Sequence, residues 1–141
     1  MTSTGSCLCG SVTYRIDHAP ETAHACHCGH CQKWSGGVNL STEVPEAAFH
    51  ITGGAEHLGT YKSSDWAERC FCKTCGSSIF SRMTAEGPHQ GLHYICIGTL
   101  DSSEGLRLGD EIFIDRKPAC YGFEGTHKRL TEAEFFAMVG G

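Results

Sequence analysis

Residues 70–75 read CFCKTC and residues 26–31 read CHCGHC, so the spacing C-x-C-x-x-C occurs twice in one short chain. A third pair of cysteines lies in CLC at residues 7–9. The two C-x-x-C turns are typical of a tetrahedral ion bound by sulfur at about 2.3 Å, with ligands from segments far apart in sequence. The pattern predicts zinc, because the long, evenly stepped cysteine runs of iron–sulfur proteins are absent from the sequence.

The composition predicts one folded domain over residues 1–141, with 40% hydrophobic and 19% charged residues. The formal net charge is −5 and Lys and Arg form no run, which argues against binding to nucleic acid. Residues 1–6 lack the apolar stretch of a secretory signal, and no segment approaches the ~18 apolar residues of a membrane span. We therefore expect a cytoplasmic protein, away from membranes, whose ten cysteines are reduced thiols rather than a disulfide framework.

Short alternating runs predict a mainly β fold. Residues 11–16 and residues 93–97 alternate apolar side chains between two faces, as strands do. Residues 77–80 and residues 111–114 are shorter strand candidates. We expect short hairpins, with no linker and no second domain.

One helix is expected, at residues 131–138. Thr131 can cap its first turn, with Glu134 three residues further on to complete the cap. An apolar stripe along this helix would consist of Phe135, Phe136 and Val139.

The grouping of the cysteines decides the function. Cys7 and Cys9 leave the same face of an extended strand, so both can bind one ion, and they need two further partners. Gly10 and Gly76 each follow the last cysteine of their segment, where a glycine lets the backbone turn close to a sulfur. This shared feature predicts a closed and therefore structural zinc site. Its four thiolate ligands would be Cys7, Cys9, Cys72 and Cys75.

Three cysteines then remain on one loop, Cys26, Cys28 and Cys31. Three protein ligands leave an open fourth position, which is how catalytic zinc is arranged. We therefore expect a second zinc and the catalytic site at this loop. A single loop holds an ion less firmly than two joined segments do, so we expect this second zinc to be partly occupied.

Other groupings are also consistent with the spacing. Cys70 could complete the loop site as a fourth thiolate, giving two closed sites and a purely structural protein. His27 or His30 could also fill the fourth position, although exposed loop histidines are the simpler interpretation of both. Cys96 is expected to be a small buried hydrophobe that binds no metal. Cys120 could be a packed thiol or could line the pocket, and we expect that it is not a ligand either.

Four stretches in order along the chain resemble one known family. They are GSCLCGSV at residues 5–12, CHCGHCQKWSGG at 26–37, RCFCKTCG at 69–76 and GTLD at 98–101. Together they are similar to the glutathione-dependent formaldehyde-activating enzymes, a family that also includes centromere protein V. The resemblance implies a β-tent of short, stacked antiparallel sheets with bound zinc.

The resemblance assigns the same two groups of ligands. Cys7, Cys9, Cys72 and Cys75 resemble the structural zinc ligands of the family. Cys26, Cys28 and Cys31 resemble a second zinc site that faces the substrate. Cys70 is a departure, because it adds a thiol beside the structural ligands where the motif needs none.

The implied activity is that of a zinc-dependent carbon–sulfur lyase resembling S-(hydroxymethyl)glutathione synthase. It would join a thiol, with glutathione as the expected co-substrate, to formaldehyde or a similar small electrophile; the expected partners are thus a small thiol and a small aldehyde. Lys33, Arg69 and Lys117 are candidates to bind the glutathione carboxylates, although each is expected to be a solvated surface charge. The alternatives are a zinc enzyme acting on another small thiol and a non-catalytic binding module stapled by zinc.

Overall fold

Eleven strands, two α-helices and four single-turn 3₁₀ helices form the secondary structure in the computed structural model, which describes residues 1–140. The strands are β1 (Ser3–Ser6), β2 (Thr13–Ile16), β3 (Thr22–Cys26), β4 (Asn39–Val44), β5 (Phe49–Gly53), β6 (Leu58–Lys62), β7 (Ala67–Cys72), β8 (Ser78–Met83), β9 (His93–Cys96), β10 (Arg107–Ile112) and β11 (Lys128–Leu130). The helices are α1 (Gly29–Ser35) and α2 (Glu132–Met138). The predicted mainly β fold with a C-terminal helix is confirmed.

The smaller sheet has the strand order β1-β2-β5, and both of its pairings are antiparallel. Gly5 of β1 lies opposite Tyr14 of β2. A Cβ atom at Gly5 would lie 2.3 Å from the Tyr14 ring and 2.5 Å from the carbonyl oxygen of Thr99. Only glycine fits at this position, and its absence of a side chain lets the small sheet approach the loop after β9.

The larger sheet has the strand order β11-β10-β3-β4-β9-β8-β7-β6. Across the sheet, all the pairings in the row β3-β4-β9-β8-β7-β6 are antiparallel. In contrast, β10 runs parallel to both β3 and β11. The resemblance to a tent of antiparallel sheets did not predict these two parallel pairings. They are possible because long connections precede and follow β10, and parallel neighbours need a crossover rather than a tight turn.

The hydrophobic core lies between the two sheets. The ring of Phe49 lies 5.3 Å from that of Tyr14 in its own sheet and 5.0 Å from that of Phe80 in the larger sheet. Burial of such aromatic and branched side chains is the main favourable contribution to folding. The remaining members of this core are the aliphatic residues Val12, Ile16, Val44, Ile79, Ile95 and Leu100 and the cysteines Cys7, Cys70 and Cys72.

Helix α1 was not predicted. Its seven residues are too short to show helical periodicity, and it is set by its two ends instead. The sulfur of Cys28 accepts a hydrogen bond from the Cys31 backbone N–H at the first turn. Gly36 closes the helix with a left-handed φ of 80°, a conformation that favours glycine.

The C-terminal helix begins as expected, with a capping box between Thr131 and Glu134. Phe135 packs against Phe113 at 5.4 Å between ring centroids, but Phe136 and Val139 are largely exposed, so the predicted stripe is only partly covered. The strand predicted at residues 111–114 ends at Ile112, because Phe113 adopts a left-handed φ of 57°. Within residues 1–140 no helix has the length and apolar character needed to span a membrane.

Candidate metal and active site

The first group of cysteines joins the segment after β1 to the end of β7. The sulfur atoms of Cys7, Cys9, Cys72 and Cys75 all lie within 4.8 Å of one another. The Cys9 sulfur lies 3.7 Å from that of Cys7 and 3.9 Å from that of Cys72. Tetrahedral zinc with bonds of about 2.3 Å requires sulfur atoms about 3.8 Å apart, so the donor set fits this ion.

Backbone geometry brings these sulfur atoms together. Gly10 and Gly76 adopt φ values of 78° and 80°, as the sequence predicted for the residue after each last cysteine. The Val12 N–H points at the Cys7 sulfur at 3.3 Å, and the Cys75 N–H points at the Cys72 sulfur at 3.5 Å. Such N–H groups stabilise thiolates, which is the form that binds a metal.

One thiol of this group is strongly biased toward the thiolate. A hydrogen bond from the Ser77 hydroxyl, 3.1 Å from the Cys75 sulfur, lowers the pKa of Cys75 to about 5. The Ser77 hydroxyl also accepts a hydrogen bond from the Leu8 N–H at 3.0 Å, which ties the two cysteine segments together. This serine therefore contributes to both the geometry and the charge of the group.

The second group consists of Cys26, Cys28 and Cys31, whose sulfur atoms also lie within 4.8 Å of one another. Cys26 ends β3, Cys28 caps α1, and Cys31 lies one turn into that helix. Within residues 1–140 no other Cys, His, Asp or Glu places a ligand atom in this group at that separation. The arrangement offers three thiolates and one open position.

Cys28 is the thiol of this group that loses its proton most readily. Hydrogen bonds from the thiols of Cys26 and Cys31 lower the pKa of Cys28, and the nearby guanidinium of Arg69 acts in the same direction. The pKa of Cys26 is raised, chiefly because its proton is held in the hydrogen bond to Cys28. The loop therefore provides at least one thiolate for a metal.

Arg69 lies beside this second group. Its two terminal nitrogens, Nη1 and Nη2, are each 3.8 Å from the Cys31 sulfur. The guanidinium carbon lies 5.1 Å from the centre of the Trp34 ring, a cation–π distance. Arg69 is only 7% exposed, so the expectation of a solvated surface charge is wrong.

A buried polar network lies behind the cysteine loop. Nε2 of His27 donates to Oε1 of Glu111 at 2.8 Å, and Nε2 of His127 donates to Oε2 at 2.6 Å. Nε of Arg129 also donates to Oε2, at 3.1 Å, and the Tyr121 hydroxyl lies 3.3 Å from Nδ1 of His27. His27 is fully buried, which corrects the expectation of an exposed loop histidine, whereas His30 is exposed as expected.

This network could not be predicted from the sequence. Its residues are spread over a hundred positions and have no common motif, and the pairings of β10 with β3 and with β11 bring them together. Burial raises the pKa of Glu111, but the hydrogen bonds from His127 and His27 outweigh that effect and hold the pKa below its ordinary value. The carboxylate is thus charged and fixes the backbone between Cys26 and Cys28.

The other cysteines lie outside both groups. Cys70 is buried in the core, with its sulfur 3.6 Å from the Thr60 hydroxyl. Cys96 is half-buried rather than buried, and its sulfur lies 3.5 Å from Oδ1 of Asn39. Cys120 is exposed. Neither group of converging sulfur atoms among the described residues includes any of these three.

The two lysines proposed for the carboxylates of glutathione differ from Arg69 in their surroundings. Lys33 is an exposed residue in the last turn of α1. The ammonium group of Lys117 donates to the carbonyl oxygens of Pro118 and Tyr121 and lies 4.8 Å from the Tyr121 ring. Neither ammonium group is hydrogen-bonded to a cysteine sulfur of the loop in the described residues.

Two stacked sheets with two cysteine groups define a mainly β fold able to bind two metal ions. Residues 2–116 match the sequence profile of the glutathione-dependent formaldehyde-activating enzymes. The chain therefore belongs to the glutathione-dependent formaldehyde-activating enzyme family, as its cysteine motifs suggested.

Relatives agree with this assignment. An uncharacterized lyase of Schizosaccharomyces pombe is 28% identical over 139 residues, covering 96% of this chain and 95% of that protein. A Halomonas elongata protein is 34% identical over 86 residues, covering 54% of this chain and 53% of that protein. A Podospora anserina protein is 30% identical over 92 residues, covering 63% of this chain and 43% of that protein. These last two carry the provisional name of glutathione-dependent formaldehyde-activating enzyme, and the chain spans about half of their length.

A solved structure has the same fold. The crystal structure of a Rhodobacter sphaeroides protein superimposes with a TM-score of 0.58 at 20% identity. The match covers 72% of this chain and 90% of that one. At this level of identity the likeness concerns the fold alone.

Proposed function

We propose that residues 1–141 form one zinc domain that holds two ions with different tasks. The four-cysteine group would hold a structural ion, since it is closed and joins two distant segments. The three-cysteine group would hold the second ion with one position open to a substrate. The sulfur separations of 3.7 and 3.9 Å support zinc at the first group. The sulfur atoms of the second group lie within the same 4.8 Å of one another, which supports the same ion there.

We propose further that the chain is a carbon–sulfur lyase that joins glutathione to formaldehyde. One observation supports this proposal: three cysteines converge without a fourth ligand among residues 1–140, in a chain that belongs to this family. A closed site would have no place for a thiol substrate. The co-substrates would be a small thiol and a small aldehyde.

The reaction needs an activated sulfur. A zinc ion bound there would act as a Lewis acid and lower the pKa of a thiol at its fourth position. The glutathione sulfur then attacks the carbonyl carbon of formaldehyde. A carbon–sulfur bond forms, the carbon–oxygen π bond breaks, and the thiol proton ends on the oxygen of S-hydroxymethylglutathione. Cys26, Cys28 and Cys31 hold the site, and Glu111 fixes their loop through His27.

Exchange NMR with ¹³C-formaldehyde and glutathione tests this proposal, because it separates the catalysed rate from the spontaneous one. We expect the zinc-loaded protein to accelerate formation and breakdown of S-hydroxymethylglutathione, and we expect Cys28→Ser to abolish the acceleration. Cys120→Ser is the matched control, since Cys120 is exposed and lies outside both groups. No acceleration by the zinc-loaded protein would refute the glutathione activity.

Free cysteine in place of glutathione tests the alternative of another small thiol. Acceleration with cysteine but not with glutathione would keep the lyase chemistry and change the substrate. Equal acceleration with both would show that the site recognises the thiol alone.

A further inference from the structure

Arg69 is a buried cation with an unusual set of neighbours. It lies on β7 next to Cys70, but successive residues of a strand point to opposite faces. Cys70 therefore enters the core, while Arg69 reaches the Cys31 sulfur and the Trp34 ring. The guanidinium belongs to the environment of the three-cysteine group and not to the core.

No carboxylate neutralises Arg69 within the part of the chain that the structure describes. Four other arginines have such a partner within 4.0 Å, namely Arg15, Arg82, Arg116 and Arg129. Buried charges are ordinarily paired, because an unpaired one loses its hydration without compensation. Both terminal nitrogens of Arg69 contact the sulfur of Cys31, so the three-cysteine group as a whole is the site of negative charge that faces this arginine.

One hydrogen-bond donor of Arg69 has no partner among residues 1–140. Its Nε is buried and unbonded in the described residues, although an arginine has five N–H donors in a fixed plane. Buried donors are rarely left without an acceptor. The side chain is thus only partly satisfied by Cys31 and Trp34, which is consistent with a site that is completed by a bound group.

Charge balance shows what Arg69 would do at a loaded site. A zinc dication with three thiolates carries one net negative charge, which disfavours an anionic fourth ligand at a partly buried position. The adjacent guanidinium cancels that charge. With Arg69 in place, a substrate thiolate brings the charge of the cluster to minus one instead of minus two.

We propose that Arg69 is a specificity-determining residue of the three-cysteine site, which it makes selective for an anionic thiolate over a neutral fourth ligand. The proposal rests on the proposed function and deepens it, since it concerns the same open position. In this proposal the guanidinium of Arg69 stabilises the charged sulfur of the substrate and does not bind the carboxylates of glutathione.

Cobalt substitution measures this selectivity without turnover. The protein loaded with cobalt(II) is titrated with 2-mercaptoethanol, a thiol without carboxylates, and separately with imidazole, a neutral ligand. Sulfur-to-cobalt charge-transfer bands and ligand-field bands report each ligand, and Cys28→Ser provides the background from the four-cysteine group. We expect Arg69→Gln to lower the ratio of thiol to imidazole affinity by about tenfold or more, because the compensating charge is lost.

Three further variants make the result specific. Arg69→Met is a second neutral variant that fills similar space against Trp34, and it should lower the ratio as Arg69→Gln does. Arg69→Lys keeps the charge and should retain most of the selectivity. Arg82→Gln is the matched control, since Arg82 lies on the neighbouring strand and pairs with Glu68, and it should leave the ratio unchanged.

Two results would overturn the proposal for Arg69 alone. One is an unchanged ratio of thiol to imidazole affinity in both neutral variants. The other is an equal fall of this ratio in Arg69→Lys and Arg69→Gln, which would show that Arg69 acts through its packing and not through its charge. A wild-type protein whose cobalt bands do not respond to the thiol would overturn the open position itself, and with it the proposed function.

Discussion

Two cysteine triplets of identical spacing adopt different local structures in this protein. In residues 26–31 the last cysteine lies in a helix, and all three sulfur atoms converge. In residues 70–75 the first cysteine lies in a strand and its sulfur enters the core, so only Cys72 and Cys75 join a metal-binding group. The strand alternation of β7 separates Arg69 from Cys70, and it explains why Cys70 is not a fourth ligand of the loop.

Cys70→Ala should therefore retain both metal ions. The substitution removes a small buried side chain, and we expect it to lower the free energy of unfolding by about 1 kcal/mol. Zinc content per chain and chemical denaturation check this outcome. Cys31→Ala is the matched comparison and should lose the second ion. Loss of that ion in Cys70→Ala would instead show that the loop site is closed by Cys70.

At the residue scale, the spacing of the cysteines was enough to predict which of them come together in each group. Cys7, Cys9 and the two loop motifs were grouped from strand alternation and from the glycines at positions 10 and 76, and the structure brings the same atoms together. Arg69 and His27 were misjudged, because sequence gives a residue's charge but not its burial. Glu111 was missed, because its partners come from β11 and from the loop before α1.

At the scale of elements, the pairing of β10 with β3 supports the cysteine loop. It places Glu111 opposite Ala25, one residue before the first loop cysteine. The carboxylate then reaches His27 and His127, both of which are nearly or fully buried at the side chain. Neither the parallel pairing nor helix α1 was predicted, because short segments carry little periodicity and long-range pairing leaves no local pattern.

Glu111→Gln should be strongly destabilising, because it removes the buried negative charge that balances its histidine and arginine partners. We expect a loss of about 3 kcal/mol in the free energy of unfolding, measured by chemical denaturation. Glu132→Gln is the matched control, since its ion pair with Arg116 is solvent-exposed and should cost less than about 1 kcal/mol. Equal effects of the two substitutions would contradict the structural role of Glu111.

At the scale of the whole molecule, the core joins the two sheets around aromatic rings and one buried histidine. The imidazole of His93 lies 4.8 Å from the ring of Phe49 and 5.0 Å from that of Phe80. Its Nδ1 bonds to the carbonyl oxygen of Gly91 at 2.8 Å. Burial lowers the pKa of His93 below its ordinary value of 6.5.

This lowered pKa predicts a pH dependence of stability. Between the folded pKa and 6.5 the unfolded chain binds more protons, so stability should fall as the pH drops through that range. His93→Phe keeps a ring in the core and should lose this part of the dependence, while exposed His89→Gln should behave as the wild type does. Denaturation midpoints from pH 7.5 to 5.5 check it, and parallel curves for all three proteins would contradict it.

The two cysteine groups are proposed to have different tasks, since one would hold the molecule together and the other would bind the substrate. Zinc bound by Cys7, Cys9, Cys72 and Cys75 would link segments more than sixty residues apart, and such binding contributes directly to folding. The three-cysteine group links positions only five residues apart, so its metal should contribute little to the fold. Zinc should therefore contribute much more to folding at the four-cysteine group than at the three-cysteine group.

The most direct test is zinc content per chain, measured together with thermal unfolding, in Cys28→Ser and Cys72→Ser. We expect Cys28→Ser to keep one zinc and a wild-type circular dichroism spectrum, and to melt cooperatively without catalysing the thiol–formaldehyde reaction. We expect Cys72→Ser to be unstable or insoluble, because it loses the ion that joins the sheets. If Cys28→Ser unfolds as severely as Cys72→Ser does, or if Cys72→Ser keeps its zinc content and melting temperature, the division between a structural and a substrate site is wrong.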